Sequence, residues 1–291
     1  MADDRVNERY LPGVHFPENL HAELDLQNCL KDVQDTLIAV PSHGLRETLQ
    51  AIEPMLAADM RLCWATKGFE LSTGRLPHQV AEETLGPGRP MAVLSGPTFA
   101  KEVAAGLPTA MTIAANNSEF ASDLAEEISG ENFRAYTTQD MIGVEVGGAV
   151  KNVLAIAAGL SDGLGFGANT RIALINRGLV EMTRLGLALG AKQDTFMGLA
   201  GMGDLVLTCT DNLSRNRRMG LALAAGKTIE EAQQEIQQVV EGVLAAKAVH
   251  EVAEYLDVDM PICLELYRVL YEGLSPRESV ATLMGRALKP E

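Results

Sequence analysis

Up to about residue 140 the chain alternates short apolar runs with helical patterns, and beyond that point it does not. Thr36–Val40 is an apolar run stopped by Pro41. Arg61–Thr66, Met91–Leu94, Thr109–Ala114 and Phe133–Thr137 follow it. Between these runs, the residue patterns predict helices through Leu45, Leu49, Ile52 and Leu56, near His78–Leu85, from about Thr98, and over Ser118–Ile128. Strands separated by helices imply a parallel sheet with helices on its faces. Past Asp140 the spacing is helical throughout, as in Ile172, Ile175, Leu179, Met182 and Leu189, with Gly190 as a stop. Thr228–Glu231 and Ser275–Glu278 read as capping boxes that start two further helices. The expected architecture is an α/β domain over residues 1–140 and an all-α domain over 141–291. No flexible linker separates them, so they should pack closely around a cleft.

Composition narrows the function classes. The chain has 291 residues, 47% hydrophobic and 22% charged, which suits a globular protein with a real core. Its N-terminus is acidic and lacks the apolar core of a signal peptide. No run approaches the roughly 18 consecutive apolar residues of a membrane span. Cys29, Cys63, Cys209 and Cys263 are far apart and read as the reduced thiols of a cytoplasmic protein. Five scattered histidines and no His-Glu-x-x-His spacing give no reason to expect a metal. A net charge of −15 argues against a nucleic-acid partner.

Against that negative field, one segment is basic. Arg215, Arg217 and Arg218 fall within four positions, beside Asn212, Ser214 and Asn216. A guanidinium fork matches phosphate oxygens, and hydroxyl and amide groups can satisfy the remainder. The mixture fits a small phosphorylated metabolite. The alternative is a solvated arginine cluster at a helix start.

The front of the chain lacks what a doubly wound nucleotide-binding domain usually opens with, a strand, a glycine-rich turn and a helix whose N-terminus receives a pyrophosphate. Residues 1–35 hold one glycine, Gly13, and no strong strand. The G-x-G-x-x-A match at Gly163–Ala168 follows a helical pattern and reads as a turn between helices. If Thr36–Val40 is the strand that normally pairs with a central first strand, it becomes a bare edge. These points set the expectation of a shortened chain with weakened dinucleotide binding.

Three more segments are candidates for chemistry, with an exposed lysine or an ordinary turn and cap as the alternative reading of each. Lys67, in Trp-Ala-Thr-Lys-Gly, ends a predicted strand, where ligands bind in open α/β sheets. Ser95–Glu102 is a strand–Gly–Pro–helix junction. Lys151 interrupts a run of glycine, alanine and valine at the domain junction; burial and a neighbouring cation can lower a lysine pKa and suit it to proton transfer.

Together these segments resemble the bacterial type of NAD(P)-dependent glycerol-3-phosphate dehydrogenase, from about Tyr10 to the C-terminus. The shared blocks are V-P-S-H at Val40–His43, W-A-T-K-G, S-G-P-T-F-A-K-E, G-G-A-V-K-N-V, S-D-G-L-G-F-G-A-N, G-D-L-V-L-T-C-T-D-N, S-R-N-R-R and V-V-E-G at Val239–Gly242. The resemblance implies an N-terminally incomplete Rossmann-type parallel sheet followed by a helical domain, with NAD or NADP as cofactor. The implied reaction is hydride exchange at C2 of dihydroxyacetone phosphate or sn-glycerol 3-phosphate, supplying phospholipid synthesis in the cytoplasm, and a homodimer is one assembly it allows. It gives Lys151 the proton transfer and sets Lys67 across the cleft to polarise substrate. Gly96 and Thr98 would line the substrate site. Asp204 would hold a substrate hydroxyl or orient Lys151, and Ser214, Arg215 and Asn216 would grip the phosphate. Lys67, Ala100, Arg215, Val239 and Glu241 would border the cofactor. Two alternatives stand beside this reading: a related two-domain reductase of another small phosphorylated or carboxylated substrate, and a non-catalytic metabolite-binding remnant.

Overall fold

A computed structural model describes residues 4–287 of the chain. It opens on a small antiparallel ribbon, β1 (Val6–Asn7) with β2 (Leu11–His15), in a stretch where the sequence pattern predicts no strand. Strands of two and five residues, the second interrupted by Pro12 and by Gly13 at φ +74°, are too short for alternation to stand out. Helix α1 (Leu26–Leu30), capped by the Asp25 carboxylate on the Gln27 N–H, leads into the main sheet.

Five strands build that sheet: β3 (Asp35–Ile38), β4 (Arg61–Trp64), β5 (Met91–Ser95), β6 (Thr109–Ala115) and β7 (Phe133–Thr138), neighbours in chain order. The helices between them are α2 (Leu45–Ile52), α3 (Pro77–Leu85), α4 (Ala100–Ala104) and α5 (Ser118–Ile128). The α2 helix stops at Ile52 rather than running to Leu56, because Pro54 turns the chain into a 3-10 segment, Glu53–Met55. The α4 helix starts at Ala100, so Thr98 lies in the turn before it.

The sheet is parallel except between β5 and β6, which run antiparallel. Their connection carries only the five-residue α4, too short to carry the chain back along the sheet. Strand alternation divides the core. Leu62, Trp64 and Val93 face Leu45, Leu49, Val80 and the start of the next long helix. Cys63, Ala92 and Leu94 face Phe120 and Leu124 of α5. β3 forms one edge, where Leu37 is 55% exposed.

Among the described residues past Thr138 every element is helical: α6 (Met141–Gly163), α7 (Ala168–Ala188), α8 (Gln193–Phe196), α9 (Asp204–Thr210), α10 (Arg215–Ala224), α11 (Ile229–Ile236), α12 (Glu241–Tyr255), α13 (Pro261–Tyr271) and α14 (Pro276–Met284). A π-helical turn, Leu199–Gly203, joins α8 to α9. Both predicted capping boxes form, at Thr228 and at Ser275. The G-x-G-x-x-A match is the turn between α6 and α7.

α6 is the axis of this half. It is long and apolar enough to cross a membrane, but 94% of that stretch is buried inside the protein. Asp140 caps its start, accepting from the Gly143 N–H at 3.0 Å, and ties it to α8 through the Lys192 N–H and the Thr195 hydroxyl. α10 packs directly on α6. A Cβ at Gly159 would lie 2.0 Å from the Arg217 carbonyl oxygen, and one at Gly220 would lie 2.0 Å from that of Ile156. Glycine at both positions lets the two backbones touch, which sets the start of α10 against the middle of α6.

Candidate active site

The site begins where β4 and β5 end. Lys67 lies three residues past β4, and its stem runs over α6 at Gly148. Its ammonium donates to Asp204 Oδ2 at 2.9 Å. Asp204 is the first residue of α9, placed there by the π-helical turn before it. Its other oxygen, Oδ1, accepts from Lys151 Nζ at 2.5 Å. Lys151 also reaches the Thr208 hydroxyl at 3.2 Å, and that hydroxyl in turn donates back to the Asp204 carbonyl. One buried carboxylate therefore holds two lysines.

The charges shift one another. Burial and the neighbouring Lys67 ammonium pull Lys151 down to about 8, against the attraction of Asp204. Burial opposes the charge on Lys67, but Asp204 outweighs it and raises its pKa. Burial also works against the Asp204 carboxylate, but the two ammoniums hold its pKa below the ordinary value. A buried lysine whose pKa lies near 8 can both give and take a proton at physiological pH.

The basic segment divides. Arg217 is buried and structural: it donates to the Cys209 carbonyl, the Asn212 side chain and Asp162, tying α6, α9 and α10 together. It is not free to wrap an anion, contrary to the reading of the three arginines as one cluster. Ser214 uses its oxygen to cap α10 on the Arg217 N–H. Asn216 donates to Asn152 Oδ1 at 2.9 Å and accepts from the Gly242 N–H at 2.9 Å, which fixes it between α6 and α12. Arg215 is half-buried and donates to the Val239 carbonyl at 2.8 Å. Glu241, two residues on, is close enough for its charge to raise the Lys67 pKa. Arg215, Val239 and Glu241 thus form a partly exposed rim, with the Glu241 charge within range of Lys67. Gly96 is buried at the end of β5; Thr98 donates to its carbonyl, and Ala100 is exposed just beyond. Thr208 and Asn152 were missed in the sequence. Each adjoins a chosen residue by one helical turn or one position, which is the signal that could have found them.

The family models decide the identity. The model for the N-terminus of NAD-dependent glycerol-3-phosphate dehydrogenase matches residues 1–121, and the model for its C-terminus matches residues 140–281. The chain belongs to the NAD-dependent glycerol-3-phosphate dehydrogenase family. It is 57% identical over 292 aligned residues to a Klebsiella pneumoniae glycerol-3-phosphate dehydrogenase [NAD(P)+], covering 100% of this chain and 86% of that protein. A Shigella boydii relative of the same name is 56% identical over 289 residues, covering 99% and 85%. The crystal structure of glycerol-3-phosphate dehydrogenase from Coxiella burnetii superposes with a TM-score of 0.95 at 51% identity, covering 98% of this chain and 87% of that one. The yeast Saccharomyces cerevisiae enzyme gives 0.83 at 28% identity, covering 95% and 83%. As a glycerol-3-phosphate dehydrogenase family member, the chain is an oxidoreductase with a nicotinamide cofactor. These matches do not favour a different reductase or a non-catalytic remnant. The matches give no support to the expectation of a shortened chain with weakened dinucleotide binding.

Proposed function

We propose that this glycerol-3-phosphate dehydrogenase interconverts dihydroxyacetone phosphate and sn-glycerol 3-phosphate at the cleft between the sheet and α6. The observation that carries the reading is the shared carboxylate: Asp204 holds Lys151 and Lys67 side by side. Lys151 hands its proton to the ketone oxygen in reduction and takes it back in oxidation. Asp204 and Thr208 orient that amine. Lys67 places a second positive charge beside the developing alkoxide. Gly96 and Thr98 line the substrate, and Ser214, Arg215 and Asn216, at the N-terminus of α10, receive its phosphate.

The rim residues fit the nicotinamide end of the cofactor. Arg215 is braced on Val239, and the Glu241 charge is within range of Lys67; with Ala100, carried over from the family resemblance, these residues would hold that end. Among the described residues no glycine-rich turn links a sheet strand to a helix N-terminus. When bound, NAD or NADP supplies or takes the hydride at C2. The division into a dinucleotide-binding part, 1–140, and a substrate part, 141–291, a cytoplasmic setting, a role in lipid synthesis and a homodimeric state belong to the same proposal.

The test is a steady-state assay with NADH and NADPH, comparing dihydroxyacetone phosphate with dihydroxyacetone and with 2-keto acids. Turnover restricted to the phosphorylated ketone supports the reading. Preference for a 2-keto acid overturns it.

A further inference from the structure

We propose that Ser95 is a positioning residue for Lys67, a role that rests on the reading of the site given above. Ser95 is the last residue of β5. Alternation puts it on the face of Val93, toward α6, rather than on the face of Leu94, toward α5. It is 2% exposed, and its hydroxyl has no hydrogen-bond partner among the described residues. Buried hydroxyls are ordinarily satisfied, so one left open beside a reactive cluster calls for a reason.

Its surroundings supply one. A Cβ at Gly148 would lie 3.5 Å from Ser95 Oγ, and 3.3 and 3.5 Å from Cγ and Cδ of Lys67. The hydroxyl and the lysine stem therefore lie against the same point of α6, one turn before Lys151. Glycine at that point clears the space they share. The Lys67 ammonium carries three N–H donors, and its bond to Asp204 uses one. Asp204 must also serve Lys151, and a substrate hydroxyl bound beside it would compete for the same carboxylate. As substrate draws on that carboxylate, the Lys67 ammonium needs a second acceptor to stay in the cleft. Ser95 Oγ accepts a Lys67 N–H and holds the ammonium against the substrate oxygen. The unpartnered Ser95 hydroxyl is the acceptor kept for that state.

The test compares the wild type with Ser95→Ala, Lys67→Met and the double variant. Melting is followed with and without saturating sn-glycerol 3-phosphate, and kcat/KM is measured for reduction of dihydroxyacetone phosphate. Ser95→Ala should melt no lower than the wild type without ligand, because the lost hydroxyl had no partner. It should lose at least half of the rise in melting temperature that sn-glycerol 3-phosphate gives. Its kcat/KM should fall roughly tenfold, the scale of one hydrogen bond to a charged group. In the Lys67→Met background the same substitution should change neither readout. A full ligand-induced rise and unchanged kcat/KM in Ser95→Ala overturn the role. So does an equal loss with and without Lys67, or a fall in ligand-free melting that accounts for the lost activity. A wild-type chain whose melting ignores sn-glycerol 3-phosphate overturns the reading of the site, and the Ser95 role with it.

Discussion

Lys67 and Lys151 donate to opposite oxygens of one carboxylate, at 2.9 and 2.5 Å from Asp204. The two come from different halves of the fold, one from the end of a sheet strand and one from the middle of α6. Asp204 holds two like charges together that would otherwise separate. The consequence is unequal: Lys67 stays firmly charged, and Lys151 becomes the group that titrates near neutrality.

Lys151→Ala should lower turnover by roughly 10²–10⁴, the usual contribution of general acid–base catalysis. In the wild type, ketone reduction needs the protonated amine. Its kcat/KM should therefore hold at lower pH and fall as pH rises through about 8. Oxidation of sn-glycerol 3-phosphate should rise over the same interval. Near-normal turnover in the alanine variant would remove Lys151 from the mechanism.

Lys67→Met should move that alkaline limb upward. The neighbouring ammonium is one cause of the lowered Lys151 pKa, second to burial, and without it Asp204 attracts Lys151 alone. A pH–rate profile of the variant gives the answer. A limb that stays at the wild-type position would mean that burial, not Lys67, sets the Lys151 pKa.

Periodicity and punctuation made most of the fold legible. The Ser118–Ile128 helix, the β5 core strand and both capping boxes follow directly from apolar spacing and from Ser/Thr–x–x–Glu. The β1–β2 ribbon did not, being too short to carry a period. The antiparallel β5–β6 pair did not either, since strand direction depends on how the connection folds. In the site, Lys151 stood out as a charge in a glycine-, alanine- and valine-rich run and Lys67 as a lysine at a strand end, while Asp204 came from the family resemblance. That all three meet at one carboxylate is a tertiary fact, with Lys67 and Asp204 137 residues apart. The three arginines show the limit of a cluster read by residue type: helical rotation turns Arg217 inward while Arg215, two positions earlier, stays at the rim.

That split gives opposite expectations for two arginines. Arg215→Ala should weaken use of dihydroxyacetone phosphate while leaving dihydroxyacetone nearly unaffected, with melting close to the wild type. Arg217→Ala should instead destabilise the fold by about 3 kcal/mol, because it removes a buried partner of Asp162 and strands the Cys209 carbonyl. Urea unfolding alongside kinetics with both ketones separates the two. Equal losses on both ketones for Arg215→Ala would contradict the phosphate contact.

Six residues before Lys151 on the same helix, Glu145 is buried and holds the sheet to α6. It accepts from Trp64 Nε1 at 3.0 Å, from the His78 backbone N–H at 3.0 Å, and pairs with His78 Nδ1 at 2.5 Å. Burial works against the charged imidazole, but the bond to Glu145 outweighs it and raises the His78 pKa. A group whose folded pKa lies above its unfolded value binds its proton more tightly in the folded state. Its contribution to stability is fully present below about pH 6.5, the ordinary histidine value, and is lost as pH rises through the raised folded value. The wild type should therefore lose stability across that interval relative to His78→Gln, which has no proton to release there. Urea midpoints of the two chains from pH 5.5 to 9 check this. Parallel curves would mean that the His78–Glu145 pair keeps one protonation state throughout, and that its hold on α6 is independent of pH.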